Sequence, residues 1–372
     1  MVLLWWTCWI LLGAFATAVM VYLSVLMRGD EPMVLKSDVK LSVLVAARNE
    51  EAAILDCLKA LHGLDYPIDN IEILIGDDAS TDRTAEIIQA FIEDKPQFNY
   101  FLIQGTLNGL RGKQNVLAQL GQKASGDLLL ITDADIRVNP LWAQGMAGAF
   151  ADKQTGIVCG PSIVWGDSLF AKVQGLDWMM GQVLSFAHVR LGIPISAVGN
   201  NMAIRTEAYR KLGGYESLPF HIIEDYQLFQ GLCERGGWRY RLLLHPTVGA
   251  VSLPLENLKA WFHQRRRWFA GARSLAWYNL ALICLNASFL PAIVCMWVYG
   301  GPVWGIACLT FKLASDFALL SAAATRLGMS DRLRWFGPYS LYYLFSLIAT
   351  PMLMVLPGKV VWKGRKYEMG GR

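Results

Sequence analysis

The distribution of charge along the chain is the feature that most restricts its fold. Residues Met1–Met27 and Leu275–Tyr299 carry no charged side chain, and Val303–Thr325 carries one lysine and one aspartate. Phe336–Pro357 is a further apolar stretch. Each of these stretches is near or above the roughly 20 residues that a helix needs to cross a bilayer. The chain is therefore predicted to combine membrane helices with the polar segment that lies between them.

The basic residues indicate which side of the membrane the polar segment occupies. No basic residue precedes the long apolar run of Met1–Met27, so this run is predicted to be a retained anchor rather than a cleaved signal peptide. Arg28, Lys36 and Lys40 follow it, and Arg265–Arg267 precedes the next apolar stretch. By the positive-inside rule the polar segment lies in the cytosol. We expect a multi-pass protein of the cell (inner) membrane whose active site faces the cytosol.

The expected division of the chain follows from these boundaries. It comprises a transmembrane anchor (1–28), an α/β domain (36–273), C-terminal membrane helices (275–358) and a basic cytosolic tail (359–372). The basic loop 326–334 and the tail both favour the cytosol, although one apolar stretch separates them. We therefore predict two spanning helices and a third segment, Phe336–Pro357, interrupted by Pro351, that is re-entrant or interfacial rather than spanning.

Composition excludes several other classes. The seven cysteines are scattered and contain no C-x-x-C pair, which argues for a reducing compartment and against a disulfide framework or a cysteine zinc site. The net charge of +4 is small and lies mostly at membrane edges, so no nucleic-acid partner is expected.

The polar segment alternates short buried runs with helical patterns. The first-half strands are predicted at Leu41–Ala46, Ile71–Gly76, Tyr100–Ile103 and Asp127–Thr132, and the helices at Glu50–Leu61, Thr81–Glu93 and Lys113–Lys123. The more mixed second half is predicted to contain strands at Gly156–Trp165, Ala197–Ile204 and Trp238–Leu244, and helices at Leu169–Arg190 and Glu224–Arg235. This alternation predicts a mainly parallel, Rossmann-like α/β sheet, which binds ligands beyond the carboxyl ends of its strands.

The first acidic cluster follows a predicted strand. Asp77 and Asp78 could accept hydrogen bonds from a uracil N–H or a ribose hydroxyl. Ser80 and Asp82 are better explained as caps of the following helix.

The second cluster is Asp133-Ala134-Asp135. Two carboxylates at i and i+2 after a buried strand could hold Mg²⁺ or Mn²⁺, which would neutralise the diphosphate of a leaving nucleotide. A lone D-x-D is weak evidence, so this site depends on what accompanies it.

The third cluster is Glu224-Asp225, where a carboxylate could be the general base for an acceptor hydroxyl. The alternative is that acidic residues simply favour a helix N-terminus.

The fourth candidate is the run from Gln264 to Trp268. On a helix Gln264, Arg267 and Trp268 share one face, so Arg267 could bind phosphate and Trp268 could stack on a sugar or lipid. Arg265 and Arg266 point elsewhere and are predicted to belong to the basic membrane edge. Lys113 could approach the donor, although a solvated helix start explains it equally well.

The order of these motifs is more specific than any one of them. Ala47-Arg48-Asn49-Glu50, Asp77-Asp78, Asp133-Ala134-Asp135, Glu224-Asp225 and Gln264–Trp268 stand in the order that resembles membrane-bound family 2 inverting glycosyltransferases of the GT-A fold. That group includes ceramide glucosyltransferases and the hyaluronan, cellulose and poly-N-acetylglucosamine synthases. The layout of few C-terminal segments and the tail Trp362–Tyr367 resemble the ceramide-glucosyltransferase-like branch most.

The resemblance implies a role for each motif. It places Ala47, Arg48, Glu50, Asp77 or Asp78, and Lys113 around the nucleotide sugar, and Gln264, Arg267 and Trp268 over the donor. It gives Asp133 and Asp135 to the metal and diphosphate, Asp225 to the base, and Glu224 and Trp268 to the acceptor side. In many members a threonine precedes the Glu-Asp pair, whereas Ile223 stands here.

The resemblance implies inverting transfer from a nucleotide sugar, with UDP expected, to a lipid or other membrane-associated acceptor, with Mg²⁺ or Mn²⁺ as cofactor. A processive polysaccharide synthase is the alternative within the class. An aspartyl-nucleophile phosphatase is a more remote alternative, because it gives Asp77, Asp78 and the Arg267-Trp268 pair no role. A non-catalytic membrane protein is the other remote alternative.

Overall fold

A computed structural model describes residues 2–29, 33–221, 223–272, 275, 277–355, 360–362 and 365–367. The end of the apolar stretch Phe336–Pro357 and most of the basic tail 359–372 lie outside the described residues.

Short strands and longer helices alternate along the chain. The strands are β1 (Leu41–Ala47), β2 (Ile71–Asp77), β3 (Phe98–Leu102), β4 (Leu128–Asp133), β5 (Ile136–Val138), β6 (Thr155–Cys159), β7 (Ser162–Val164), β8 (Asn201–Arg205), β9 (Arg239–Leu242), β10 (Ala250–Ser252), β11 (Val360–Trp362) and β12 (Arg365–Tyr367). The helices are α1 (Val2–Met27), α2 (Ile54–His62), α3 (Thr84–Ile92), α4 (Gly112–Lys123), α5 (Trp142–Gly148), α6 (Leu169–Arg190), α7 (Thr206–Leu212), α8 (Glu224–Phe229), α9 (Leu258–Ala272), α10 (Trp277–Gly300), α11 (Pro302–Arg326) and α12 (Phe336–Val355).

Seven strands form the central sheet in the order β3-β2-β1-β4-β8-β6-β9. The first four strands are parallel, β8 pairs antiparallel with both of its neighbours, and β9 is parallel to β6. Both faces of β1 and β4 are buried, which is typical of strands covered by helices on either side. The predicted mainly parallel α/β fold is confirmed.

Two elements of the second half differ from their sequence patterns. The predicted strand Gly156–Trp165 breaks at Gly160-Pro161 into β6, in the central sheet, and β7, in a small sheet with β5 and β10. The predicted helix Glu224–Arg235 is α-helical only to Phe229 and continues as a π-helix over Gln230–Arg235. Such π segments are common near functional sites, and this one begins one turn after the Glu224-Asp225 pair, at Gln230.

Within the described residues, three helices are long and apolar enough to span a membrane, namely α10, α11 and the Trp5–Met27 part of α1. They pack against one another, and Phe15 of α1 contacts Phe289 of α10 at a ring-centroid distance of 4.3 Å. The polar-domain ends of α1 and α11 are joined, because the Arg326 guanidinium donates to the carbonyl of Arg28 at 3.0 Å. Arg190 at the end of α6 donates to the carbonyl of Gly29 at 3.1 Å.

The fourth apolar helix, α12, packs against α6 and α9 of the α/β part. Tyr339 is fully buried, whereas Leu341 and Ile348 are exposed, so α12 presents one face to the domain and an apolar face outwards. The prediction that this segment is re-entrant or interfacial stays a prediction, as do the domain boundaries.

Candidate active site

The loops after β1 and β2 are joined by hydrogen bonds into one surface at the carboxyl edge of the sheet. The Asn49 side-chain oxygen accepts from the Thr81 N–H at 2.8 Å, and the Glu50 N–H donates to the Thr84 hydroxyl at 2.7 Å. Asn49 has a φ of +50°, in the left-handed region that asparagine tolerates better than most residues. These bonds occupy residues that helical patterns assign to helix starts, which is why α2 and α3 begin three or four residues later than predicted.

The two adjacent aspartates after β2 have different surroundings. Asp77 is 1% exposed, and both of its carboxylate oxygens are engaged, one by the Ser80 N–H at 2.9 Å and the other by the Tyr100 hydroxyl at 2.9 Å. Asp78 lies beside the guanidinium of Arg48, which also donates to the Asp78 carbonyl. Asp77 thus holds the loop, while Arg48 and Asp78 form the polar surface next to it.

Asp82 accepts hydrogen bonds from the backbone and hydroxyl of Thr84, at 3.0 and 2.6 Å, at the start of α3. This agrees with its predicted role at the helix start.

Lys113 connects two of the acidic clusters. Its ammonium lies 2.6 Å from an Asp133 oxygen and 2.8 Å from a Glu224 oxygen, and its side chain is only 11% exposed. Burial opposes the charged ammonium, but the two carboxylates outweigh burial and raise the pKa of Lys113. The same contact lowers the pKa of Glu224 despite burial, with Arg267 contributing to the effect. Lys113 therefore joins Asp133 and Glu224 in a charged triad of two ion pairs.

Asp225 lies next to this triad and is held by backbone donors. Its Oδ2 accepts from the Gly199 N–H at 2.7 Å, and its Oδ1 accepts from the Tyr226 N–H at 2.8 Å. Burial and, secondly, the Glu224 carboxylate raise the pKa of Asp225 to about 7. A carboxyl group with this pKa exchanges a proton near neutral pH, as a general base must.

The backbone of Gly199 lies against the Asp225 carboxylate, closer than a residue with a side chain would permit. A Cβ atom at this position would lie 2.7 Å from the Asp225 Oδ2 and 2.8 Å from its Cβ, closer than such atoms pack. The Gly199 carbonyl also accepts from Lys113 at 3.3 Å. One glycine peptide therefore contacts both the base candidate and the cation, and no motif in the sequence indicated it.

The Asp133-Ala134-Asp135 pair lies at the end of β4, as predicted. The buried Cys57 thiol lies close to this pair. Burial raises the pKa of the thiol, and the charges of Asp135, Asp133 and Glu50 raise it further. No cluster of three or more His, Cys, Asp and Glu side chains that could hold a metal is found among the described residues. Two carboxylates still fit a Mg²⁺ or Mn²⁺ ion that takes its other oxygens from water and a diphosphate.

The Gln264–Trp268 run lies on α9, and the structure changes the role of Arg265. The prediction that Arg265 belongs to the basic membrane edge is wrong, because its guanidinium is buried in an ion pair with Asp177 of α6. Trp268 packs edge-on against Trp178 at 5.5 Å. Gln264 and Arg267 are partly buried, and their roles at the donor stay predictions.

The model of glycosyl transferase family 21 matches residues 9–371. A probable glycosyltransferase of Bacillus subtilis, YdaM, is 30% identical over 62% of this chain and 55% of its own length. A beta-monoglucosyldiacylglycerol synthase of Synechocystis is 26% identical over 72% of this chain and 56% of its own length. The chain thus spans about half the length of these curated relatives.

The fold also resembles a solved structure. The mannosyltransferase PcManGT of Pyrobaculum calidifontis, in complex with GDP-Man and Mn²⁺, superposes with a TM-score of 0.60 at 21% identity, covering 91% of this chain and 99% of that one. The predicted resemblance to GT-A, ceramide-glucosyltransferase-like enzymes is confirmed. Because the family model matches nearly the whole chain, the protein belongs to glycosyl transferase family 21.

Proposed function

We propose that this protein is an inverting glycosyltransferase that moves a hexose from a nucleotide sugar, expected to be a UDP-sugar, to a lipid acceptor in the membrane. The observation that carries the proposal is the coupling of Asp225 to the charged triad of Asp133, Lys113 and Glu224. This arrangement puts a base with a pKa of about 7 beside the D-x-D carboxylates at the carboxyl edge of the sheet.

On the donor side, the nucleotide is assigned to the surface formed by the loops after β1 and β2. Asp78 and Arg48 are the polar side chains there, with Ala47 and Glu50 beside them, whereas Asp77 is committed to Ser80 and Tyr100. Lys113 and Arg267 supply positive charge toward the diphosphate. Fixed charges that meet charge developing on a leaving group are a large source of rate acceleration.

On the acceptor side, Asp225 removes the proton from the attacking hydroxyl, and Glu224 is assigned to the acceptor. The Gly199 and Tyr226 N–H groups hold both of its oxygens, so the carboxylate is oriented before substrate arrives. Attack from the face opposite the nucleotide inverts the anomeric centre.

Asp133 and Asp135 would hold a divalent ion, Mg²⁺ or Mn²⁺. When bound, the ion would neutralise the diphosphate charge. Lys113 contacts one Asp133 oxygen at 2.6 Å, which orients that carboxylate.

A lipid acceptor is supported by the membrane helices and by the names of the relatives. Three helices could span a membrane, and α6, whose following loop leads to Gly199, packs against α1 and α11. Several relatives are named beta-monoglucosyldiacylglycerol synthases, at 26–28% identity. Others are poly-beta-1,6-N-acetyl-D-glucosamine synthases, at 28%, so the processive alternative has to be separated by experiment.

The proposed topology places the α/β domain on the cytosolic side of the cell membrane. Arg28, Arg190 and Arg326 come together where α1, α6 and α11 meet, as the positive-inside rule requires of the cytosolic end. The opposite end, where α10 turns into α11, is lined by aromatic rings, with Trp9 and Trp304 5.2 Å apart.

The test is donor turnover by the detergent-solubilised protein. A panel of UDP- and GDP-sugars is offered with lipid extract and Mn²⁺ or Mg²⁺, with Asp225→Asn in parallel. The matched control is Asp152→Asn. It changes a carboxylate outside the acidic clusters, in a solvent-accessible ion pair with Arg239. Metal-dependent turnover that is lost in Asp225→Asn and kept in Asp152→Asn supports the proposal. Equal turnover in all three proteins contradicts the role of Asp225.

A further inference from the structure

Two neighbouring residues of α6 hold two residues of α9. Asp177 forms the buried ion pair with Arg265, and Trp178 packs edge-on against Trp268 at 5.5 Å. Arg265 also lies over the ring of Trp268, 4.6 Å from its centroid. The helix that carries the Gln264–Trp268 run is therefore attached to α6 at two successive points.

The same site includes α12. The Tyr342 hydroxyl accepts from the Trp261 indole N–H at 2.7 Å and donates to Asp177 Oδ2 at 3.2 Å. The oxygen that receives Tyr342 is the one that pairs with Arg265. One carboxylate oxygen thus joins α6, α9 and α12.

The burial of this site argues against a simple contribution to stability. The Arg265 and Asp177 side chains are 15% and 11% exposed, and Arg265 is stacked between the rings of Trp261 and Trp268. Removing a guanidinium and a carboxylate from water offsets most of their attraction, so buried pairs contribute little net stability. Their best-attested effect is to select one register of packing over its alternatives.

The register of α9 decides where Arg267 points. Trp261, Arg265 and Trp268 recur at i, i+4 and i+7 and form the face that α6 and α12 hold. Gln264 and Arg267 lie on the neighbouring face of α9, which the proposed function directs toward the donor. A rotation of α9 would redirect Arg267 without unfolding the helix.

We propose that Asp177, Arg265 and Tyr342 form a positioning site that fixes the register of α9, and through it the donor-facing Arg267. The inference rests on the proposed function. It makes Asp177 a positioning residue, since it acts through Arg265 and not on substrate. It also makes α12 part of donor recognition, because Tyr342 completes the site.

The experiment compares Asp177→Asn with a matched control, Asp316→Asn, in the membrane-protein preparation that shows turnover. Asp316 also pairs with a buried cation, Lys312, at 2.5 Å, but on α11. The readouts are the donor KM, kcat, the thermal midpoint and amide hydrogen exchange of α9. Arg265→Lys keeps the charge without the planar stacking and serves as the conservative variant.

We expect Asp177→Asn to raise the donor KM about tenfold and to lower kcat/KM about 100-fold, as a misplacement of about 1 Å can do. Exchange of the α9 amides should be faster, and Arg265→Lys should lie between wild type and Asp177→Asn. Asp316→Asn should lower the thermal midpoint at least as much while leaving the donor KM within about twofold.

Two results would overturn the inference: a donor KM in Asp177→Asn that matches that of Asp316→Asn, or unchanged exchange of α9. Failure of the proposed function would look different, because the wild type itself would then turn over no donor. The exchange measurement still decides the inference in that case.

Discussion

Replacing Glu224 by glutamine should move the acid limb of the pH–rate profile to lower pH. Asp225 must be ionised to accept a proton, and its pKa of about 7 lies about 3 above the ordinary aspartate value of 3.8. At 1.36 kcal/mol per unit this is on the order of 4 kcal/mol of bias against the charged form. Burial is the larger cause and the Glu224 carboxylate the second.

Glutamine keeps the shape of Glu224 but removes its charge. A neighbouring charge shifts a carboxyl pKa by about 1 unit or more, so we expect the limb to fall by about 1 unit, or about 1.4 kcal/mol. Lys113 shifts the pKa of Asp225 in the same direction, because its positive charge is then no longer opposed by the negative charge of Glu224. The raised pKa of Asp225 thus falls, and the base stays ionised at more acidic pH.

The assay is kcat/KM for the acceptor between about pH 5 and pH 9 at saturating metal, because this ratio reports the ionisations of the free enzyme. Lys113→Met is the opposing control. Lys113 lowers the pKa of Asp225, so its loss should move the limb upward. An acid limb that stays in place in Glu224→Gln, or moves upward, would refute the assignment of the limb to Asp225 beside Glu224.

Three further predictions follow from individual contacts. Gly199→Ala should lower kcat by about 100-fold with little change in donor affinity, because its Cβ would lie 2.7 Å from Asp225; steady-state kinetics checks this. Asp77→Ala should lower the free energy of unfolding by about 1–3 kcal/mol, measured by thermal unfolding, because it leaves the buried partners of Asp77 unsatisfied. Asp78→Ala should keep the thermal midpoint and weaken UDP binding, measured by calorimetry. Asp135→Asn should raise the Mn²⁺ concentration for half-maximal turnover by about tenfold, and a metal titration in which it overlays the wild type would contradict its role.

Local patterns predict much of this fold because local forces determine those parts. The apolar runs become α1, α10 and α11, and β1, β2 and β4 lie within one residue of their predicted ends. Local patterns do not predict the direction of a strand within the sheet. The buried run that becomes β8 reads the same in either direction, so its antiparallel pairing depends on the connections through α6 and the loop to Gly199.

The candidate site divides in the same way. Asp133, Glu224 and Asp225 stand out as acidic residues at element ends, and the structure brings the first two together through Lys113. The Asp177–Arg265 pair is separated by 88 residues along the chain, and each member is flanked by residues that suggest a membrane edge. Only the packing of α6 against α9 identifies the two as partners. An isolated acidic residue in the apolar helix α6 was the available signal.

The most direct test of the central claim is the fate of the labelled sugar. The wild-type protein is given a radiolabelled donor of the active class with membrane lipid and metal, and the product is separated into organic and aqueous phases. We expect label in the organic phase, on a lipid that has gained a single hexose whose anomeric configuration is opposite to that in the donor. Label in a long water-soluble polymer, or a lipid product with retained configuration, would contradict it.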